Sequence, residues 1–324
     1  STFSAGRLSA ISVAVSIGLA SIVGIQVTNA NMLISAKEIF NSINKFPLAA
    51  VPFFILAGNL METGGISRRL VDFAKSIVGG VQGGLPTTCV LTCMIFAAVS
   101  GSSVATTFAI GAILIPALVE HGYPKSYAAA LQATSAELGV IIPPSIPMIL
   151  YGVAAEVSIG ELFIAGFGPG ILISGALMVF VWIYCKWKGW GKNDGDGRLG
   201  FWTATRKAAW ALLMPVIILG GIYGGVFTPT EASAVAVLYA LIVGMLIYRE
   251  IGLQDLAAVL RKSVISSAVI MFIIANAGLF AFLITRAGVP DAIGHWLEQV
   301  LQSPGWFLLG VNVALFLIGM FIET

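Results

Sequence analysis

Charge is what this chain has least of. Only 10% of its 324 residues are Asp, Glu, Lys or Arg, against a hydrophobic share of 58% and a mean hydropathy of +0.97. Soluble domains carry about a quarter charged residues, so a soluble chain is excluded and a polytopic membrane protein is expected. Histidine is nearly absent, with only His121 and His295; zinc binding and histidine-based catalysis have almost no material to work with. The three cysteines, Cys89, Cys93 and Cys185, cannot all pair and lack metal-ligating company. Cys89 and Cys93 share a helix face and read as small packing residues. No G-x-x-x-x-G-K-[ST] loop occurs, so ATP is not hydrolysed on this chain, and no paired carboxylates support an intramembrane hydrolase. An enzyme is not expected, nor a cofactor, nor a nucleic-acid partner. A cleavable signal is lacking too: the first apolar stretch, 8–27, has Arg7 beside it but no cleavage-site pattern.

What the chain does have is apolar runs, at roughly 8–27, 47–62, 85–99, 104–119, 126–155, 162–185, 208–225, 229–248, 264–284 and 305–322. Between them lie amphipathic stretches too polar to span, at 31–45, 65–79, 251–262 and 289–302. In 65–79, Ile66, Leu70, Phe73 and Ile77 fall on one face and Arg68, Arg69, Asp72 and Lys75 elsewhere. Such a helix lies along the interface or braces its neighbours.

Two of the runs are interrupted. Residues 100–107, "SGSSVATT", separate 85–99 from 104–119, and each flank is only about 22–24 Å of helix against the roughly 30 Å of a bilayer core. The pair therefore reads as a re-entrant hairpin with a polar tip. Residues 139–147, "GVIIPPSIP", break 126–155 in the same way. Pro143 and Pro144 lack N–H donors, so carbonyls one turn earlier, around Gly139 and Val140, lose helical partners. Broken helices and polar tips survive at bilayer depth only where they line a cavity or bind something. At the tip, Ser100, Ser102 and Ser103 offer hydroxyls, and Gly101 lets the backbone turn and expose carbonyls. Neutral oxygens of this kind suit Na⁺, while the amides opening the following helix favour an anionic group. Close helix packing through small residues is the competing account of the tip. Among other intramembrane polar residues, Asn59, Gln132 and Asn276 read as helix–helix glue, and Thr228 and Thr230 as N-caps with Glu231 in the first turn. The loop 192–198, "KNDGDGR", superficially resembles a calcium loop but has neither its spacing nor its terminal Glu, and reads as a solvated turn.

Orientation follows from Lys186, Lys188, Lys192, Arg198, Arg206 and Lys207, which put loop 186–207 in the cytoplasm. An internal repeat is also detectable: "MFIIANAGLFAFLITRAGVPDAI" (271–293) resembles "FFILAGNLMETGGISRRL" (53–70). On that register Gly288 matches Gly65, and Glu323 and Thr324 match Ser100 and Gly101, so the chain stops at a second tip. The two copies run in opposite directions through the membrane, the signature of an inverted repeat.

The ordered motifs "FPLAAVPFFILAGNLMETGGI", "SGSSVATT", "IIPPSIPMILYG", "ELFIAGFGPGIL" and "GGIYGGVFTPTEASAVAVLYAL" resemble the large membrane subunit of tripartite ATP-independent periplasmic (TRAP) transporters. That resemblance implies an all-α polytopic fold of the ion-transporter superfamily. Its features are inverted repeats, re-entrant hairpins, broken helices and an elevator mode of transport, here truncated at the C-terminus. The expected organisation is a span and arm over 1–46, a first repeat over 47–185 and the cytoplasmic loop 186–207. Scaffold spans over 208–263 and the start of the second repeat over 264–324 follow. The resemblance further implies sodium-coupled import of an organic acid anion, of C4-dicarboxylate or sialic acid type. The partners implied are a periplasmic substrate-binding protein and a small four-helix membrane subunit, in the bacterial inner membrane. Sodium would be held by Ser100, Gly101, Ser102 and Ser103 with Gly139, Val140 and Pro143, and the substrate by Ser103, Thr106, Ser145 and Glu323. Since the rest of the second hairpin and its broken helix are absent, residues 1–324 alone are expected not to transport. A passive channel and a non-transporting assembly subunit are the rival readings.

Overall fold

The computed structural model describes residues 2–27, 31–191, 194, 198–300 and 303–319, and among these the regular structure is all helix. In chain order the helices are α1 (Thr2–Val27), α2 (Leu33–Ile43), α3 (Ala50–Thr63), α4 (Ile66–Val78), α5 (Gly84–Ser100), α6 (Ser103–Glu120), α7 (Lys125–Ala136) and α8 (Leu138–Ile141). They continue as α9 (Ile146–Ala154), α10 (Ile159–Lys188), α11 (Phe201–Tyr223), α12 (Pro229–Leu241), α13 (Leu253–Arg286), α14 (Val289–Val300) and α15 (Pro304–Gly319). Among the described residues six helical stretches are long and apolar enough to cross a membrane: α6, α10, α11, α13, α3 with the 3₁₀ turn before it (Phe46–Thr63) and α12 with the π turn after it (Pro229–Ile247); α7–α9 form a further candidate span bent by 43°. The chain is a multi-pass membrane protein.

Two compact units divide it, Phe46–Ser267 and Ser1–Lys45 with Ala268–Thr324. In the second of these, small residues set the contacts: Gly18 faces the Asn276 amide, Gly278 faces Ser42, and a side chain at Gly24 would meet Leu283 at 3.2 Å. Asn276 also donates to Phe272 O at 2.8 Å in its own helix. Close approach through small residues is how helices associate where lipid removes the hydrophobic drive.

The larger unit is built around α5, which is buried along nearly its whole length. Its partner α6 is buried on one side only, with Val104 and Phe108 exposed. The amphipathic α4 packs on α5 and α11 through Ile66, Leu70, Val71 and Ala74. That stripe is rotated from the expected one: Ile77 is 48% exposed, and Phe73 is drawn sideways onto Phe201, ring centres 6.2 Å apart.

Several element boundaries differ from those read in the sequence. The hairpin arms have 17 and 18 residues, about 26 and 27 Å, because Gly84 and the tip serines join the helices. The polar stretch 251–262 does not stand apart from the apolar run after it; both belong to the single 34-residue α13. Helix α10 runs on through Lys188, and the loop after it shortens to 189–200. Gly65 (φ 69°) and Gly288 (φ 71°), matched in the sequence register, both take the left-handed conformation immediately before an amphipathic helix of 13 or 12 residues.

Candidate functional site

The hairpin tip is two residues long. Helix α5 stops because Gly101 adopts φ 63°, closed by its N–H on Ala97 O at 3.1 Å, a glycine C-cap. Ser102 is extended (φ −142°, ψ 125°) and its Oγ accepts from Ala105 N at 3.3 Å, so it is the N-cap of α6. Across the tip, Ser100 Oγ and Thr106 Oγ1 are 3.1 Å apart. Thr106 gives its one hydroxyl hydrogen to Ser102 O at 2.8 Å. Ser100 is then the donor to Thr106 and keeps its own lone pairs. Ser100, Ser103 and Thr106 are buried.

The other half is the break between α8 and α9. Ile142 is extended, Pro143 and Pro144 follow, and Ser145 (φ −124°, ψ 127°) caps α9 by accepting from Met148 N at 3.4 Å. The Ser145 hydroxyl also donates to Val140 O at 2.6 Å. Of the two carbonyls expected to lose partners, that of Val140 is thereby satisfied by a side chain.

These halves meet. Ile146 N donates to Gly101 O at 3.1 Å, joining tip to break through the backbone. A β-carbon at Gly101 would lie 2.5 Å from Pro144 O, and one at Gly139 would lie 2.8 Å from Ser102 O and 3.0 Å from Ser103 N. Gly58 of α3 closes the third side, 3.6 Å from Ser100 Cα by the same measure. At Gly101 and Gly139 only glycine permits contacts this close, whereas the approach at Gly58 is ordinary van der Waals contact. About 26 Å of helix (Lys125–Ile141) precede the break and about 14 Å (Ile146–Ala154) follow it. The arms are nearly bilayer length themselves, so it is the contact with the break, and not their shortness, that sets the tip against a point within another candidate span.

Four helix ends therefore converge: the C-termini of α5 and α8, rich in carbonyl oxygen, and the N-termini of α6 and α9, rich in N–H. The first pair favours a cation, the second an anion. Ser100, Gly101, Ser102, Ser103, Gly139, Val140 and Pro143 lie at this junction, with Thr106 and Ser145 in its second layer, their hydroxyls engaged with the backbone. Glu323 lies outside the described residues.

Two supports of the site went unread as such in the sequence. Gln132, 1% exposed, accepts from Cys89 Sγ at 3.1 Å and donates to Thr106 O at 3.3 Å, bracketing both hairpin arms from α7. It is glue, as is Asn59, whose amide donates to Ser263 Oγ at 2.9 Å. Gly58 is the other; a glycine inside a helix was the signal, but its partner is 42 positions further on, at Ser100. Thr228 and Glu231 form a complete capping box on α12 (Thr228 N to Glu231 Oε2, 2.8 Å).

Residues 2–324 match the family model described as "Tripartite ATP-independent periplasmic transporter, DctM component". The chain belongs to the DctM family. It is 41% identical over 302 residues (89% of this chain, 69% of the relative) to the C4-dicarboxylate TRAP transporter large permease protein DctM of Rhodobacter capsulatus. It is 46% identical over 291 residues (89% and 67%) to the protein of the same name from Pseudomonas aeruginosa. With the sialic acid TRAP transporter large permease protein SiaM of Vibrio cholerae it shares 36% over 290 residues (90% and 68%). This DctM-family chain is thus a transporter component and not an enzyme, and it works in TRAP-mediated solute uptake.

Proposed function

We propose that this chain forms part of a sodium-coupled importer of an organic acid anion, with the junction of tip and break as its first ion site. The observation that carries the reading is the Ile146 N–Gly101 O bond, 3.1 Å, which unites two broken elements at one point. Sodium is held by hydroxyls of Ser100, Ser102 and Ser103 with backbone oxygens of Gly101, Gly139, Val140 and Pro143. These are neutral hard donors, enough to replace part of a hydration shell without trapping the ion. The anion docks toward the N-termini of α6 and α9, near Ser103, Thr106 and Ser145, with Glu323 at the second tip. Anions accepted are of the C4-dicarboxylate or sialic acid type, as in the names of the relatives. A periplasmic binding protein delivers the solute, and a small four-helix subunit completes the assembly in the bacterial inner membrane, loop 186–207 facing the cytoplasm. The unit bearing the junction then moves inward as an elevator.

The deciding experiment is uptake by the full-length permease with both partners in proteoliposomes, under imposed Na⁺ or H⁺ gradients and with a panel of radiolabelled acids. Saturable uptake that follows the sodium gradient is expected. Flux indifferent to sodium, or rising linearly with solute, would overturn the reading in favour of proton coupling or a pore.

A further inference from the structure

We propose that Asp194 is a positioning residue: it fastens the base of the first hairpin, which makes that hairpin a fixed wall of the carrier and not a gate. The loop 192–198 reads in sequence as a solvated turn, yet Asp194 is only 2% exposed. Its Oδ2 accepts from Tyr123 Oη at 2.6 Å and from Leu85 N at 3.1 Å. The donors sit at opposite ends of the hairpin, Leu85 in the first turn of α5 and Tyr123 in the turn between α6 and α7.

The neighbouring residues lay a strap across the same base. Gly83 N donates to Gly191 O at 3.3 Å, and Gln82 Nε2 to Trp190 O at 3.0 Å. The Trp190 ring stands edge-on to Tyr123, Tyr127 and Tyr184, with centres 5.4–5.9 Å away. Gly191 has φ 69°, and a β-carbon there would collide with the Tyr123 hydroxyl and with Asp194. Burial, and then the Asp194 carboxylate, push the Tyr123 phenol well above its ordinary range, so it remains a donor throughout the working pH span. A buried carboxylate whose two donors come from different helices is costly to leave unpaired. The clasp therefore holds together the start of α5, the α6–α7 turn and the end of α10. The arms are stiff rods, so splaying at the base would displace the tip from the break, and the clasp removes that freedom. On the transport reading, which this deepens, solute leaves without this hairpin swinging open.

The test uses the full-length permease carrying Cys89→Ser and Cys93→Ser, with any cysteine outside residues 1–324 also changed to Ser, so that Cys185 is the reporter. Cys185 is fully buried under the strap, its Sγ 3.6 Å from Tyr127 Oη. A membrane-impermeant maleimide applied to opened membranes is expected to leave the parent unlabelled. Asp194→Asn, which takes the charge out of both bonds, and Gly191→Ala, whose β-carbon collides with the Tyr123 hydroxyl and Asp194, should each speed labelling about tenfold or more. Tyr123→Phe should speed it less, because it removes only one of the two bonds that Asp194 Oδ2 accepts and leaves Leu85 N paired. In uptake, Asp194→Asn should raise the sodium concentration for half-maximal rate several-fold, whereas a residue needed only for folding lowers the maximal rate alone. Unchanged Cys185 reactivity in both Asp194→Asn and Gly191→Ala overturns the clasp. Faster labelling with an unmoved sodium requirement overturns the positioning role. Labelling requires no transport, so a permease that ignores sodium sinks the coupling reading and leaves the clasp to be judged by Cys185.

Discussion

At the scale of the residue, the junction depends on atoms that come within 3 Å of a backbone or a hydroxyl. Ser103→Ala removes one buried neutral oxygen at the junction, and on the proposed sodium coupling a loss of about 1 kcal/mol is expected, or about a fivefold higher sodium concentration for half-maximal uptake. Fluorescence or calorimetric sodium titration of the purified permease checks it. Gly139→Ala is expected to be harsher, since its β-carbon would lie 2.8 Å from Ser102 O with backbone on both sides. Overpacking of this kind costs about 1–3 kcal/mol, seen as a lowered Tm together with weakened sodium binding; Gly168→Ala, where a β-carbon meets nothing within 4 Å, is the neutral control. The serines, Gly101 and the paired prolines were legible in sequence because hydroxyls and helix breakers are conspicuous in an apolar run. Gly139 could be read as a freed carbonyl but not as a contact surface, for that role exists only once Ser102 is brought against it. Asp194 was illegible for the opposite reason: an acidic residue among glycines has the composition of a solvated turn, and only Tyr123, 71 positions earlier, makes it otherwise.

At the scale of the element, the hairpin is two arms held in register by Gln132. Replacing Gln132 with Met keeps the volume but leaves the Cys89 thiol and the Thr106 carbonyl without their partner. A destabilisation of about 1–3 kcal/mol is expected, with faster amide exchange in the first turns of α6 than in α10. Gln132→Glu should behave alike, because a carboxylate cannot donate to Thr106 O; equal protection of α6 in wild type and both variants would remove Gln132 from this role. Element type was plain from periodicity, whereas boundaries were not. The arms of the hairpin read short because Gly84 and the tip serines are not apolar, although nothing prevents them from being helical. The face of α4 read as a stripe through Ile77 because sequence spacing does not reveal that Phe201 waits on one side for Phe73.

At the scale of the whole molecule, the division of labour is between a unit whose core is the buried hairpin and a unit assembled on small-residue contacts. Glu62 and Lys262 are paired at 2.8 Å between α3 and α13, both half-exposed, and this bridge belongs to the class worth under about 1 kcal/mol. Glu62→Gln is therefore expected to leave Tm and uptake nearly unchanged, and a large loss in either would give the pair a part in the transport cycle. The fold class, the order of spans and the family motifs are properties of long stretches, and the sequence carries them openly; the meeting of tip and break is a property of the fold and does not show in any one stretch. Helix α13 has a consequence of its own. Its 34 residues measure about 51 Å, and to fit wholly inside about 30 Å of hydrocarbon it would have to lean by more than 50°, beyond the roughly 40° limit of membrane helices. Its leading turns, with Asp255 exposed and Lys262 paired to Glu62 of α3, therefore belong outside the hydrocarbon, and a thinner bilayer would leave more of the helix uncovered.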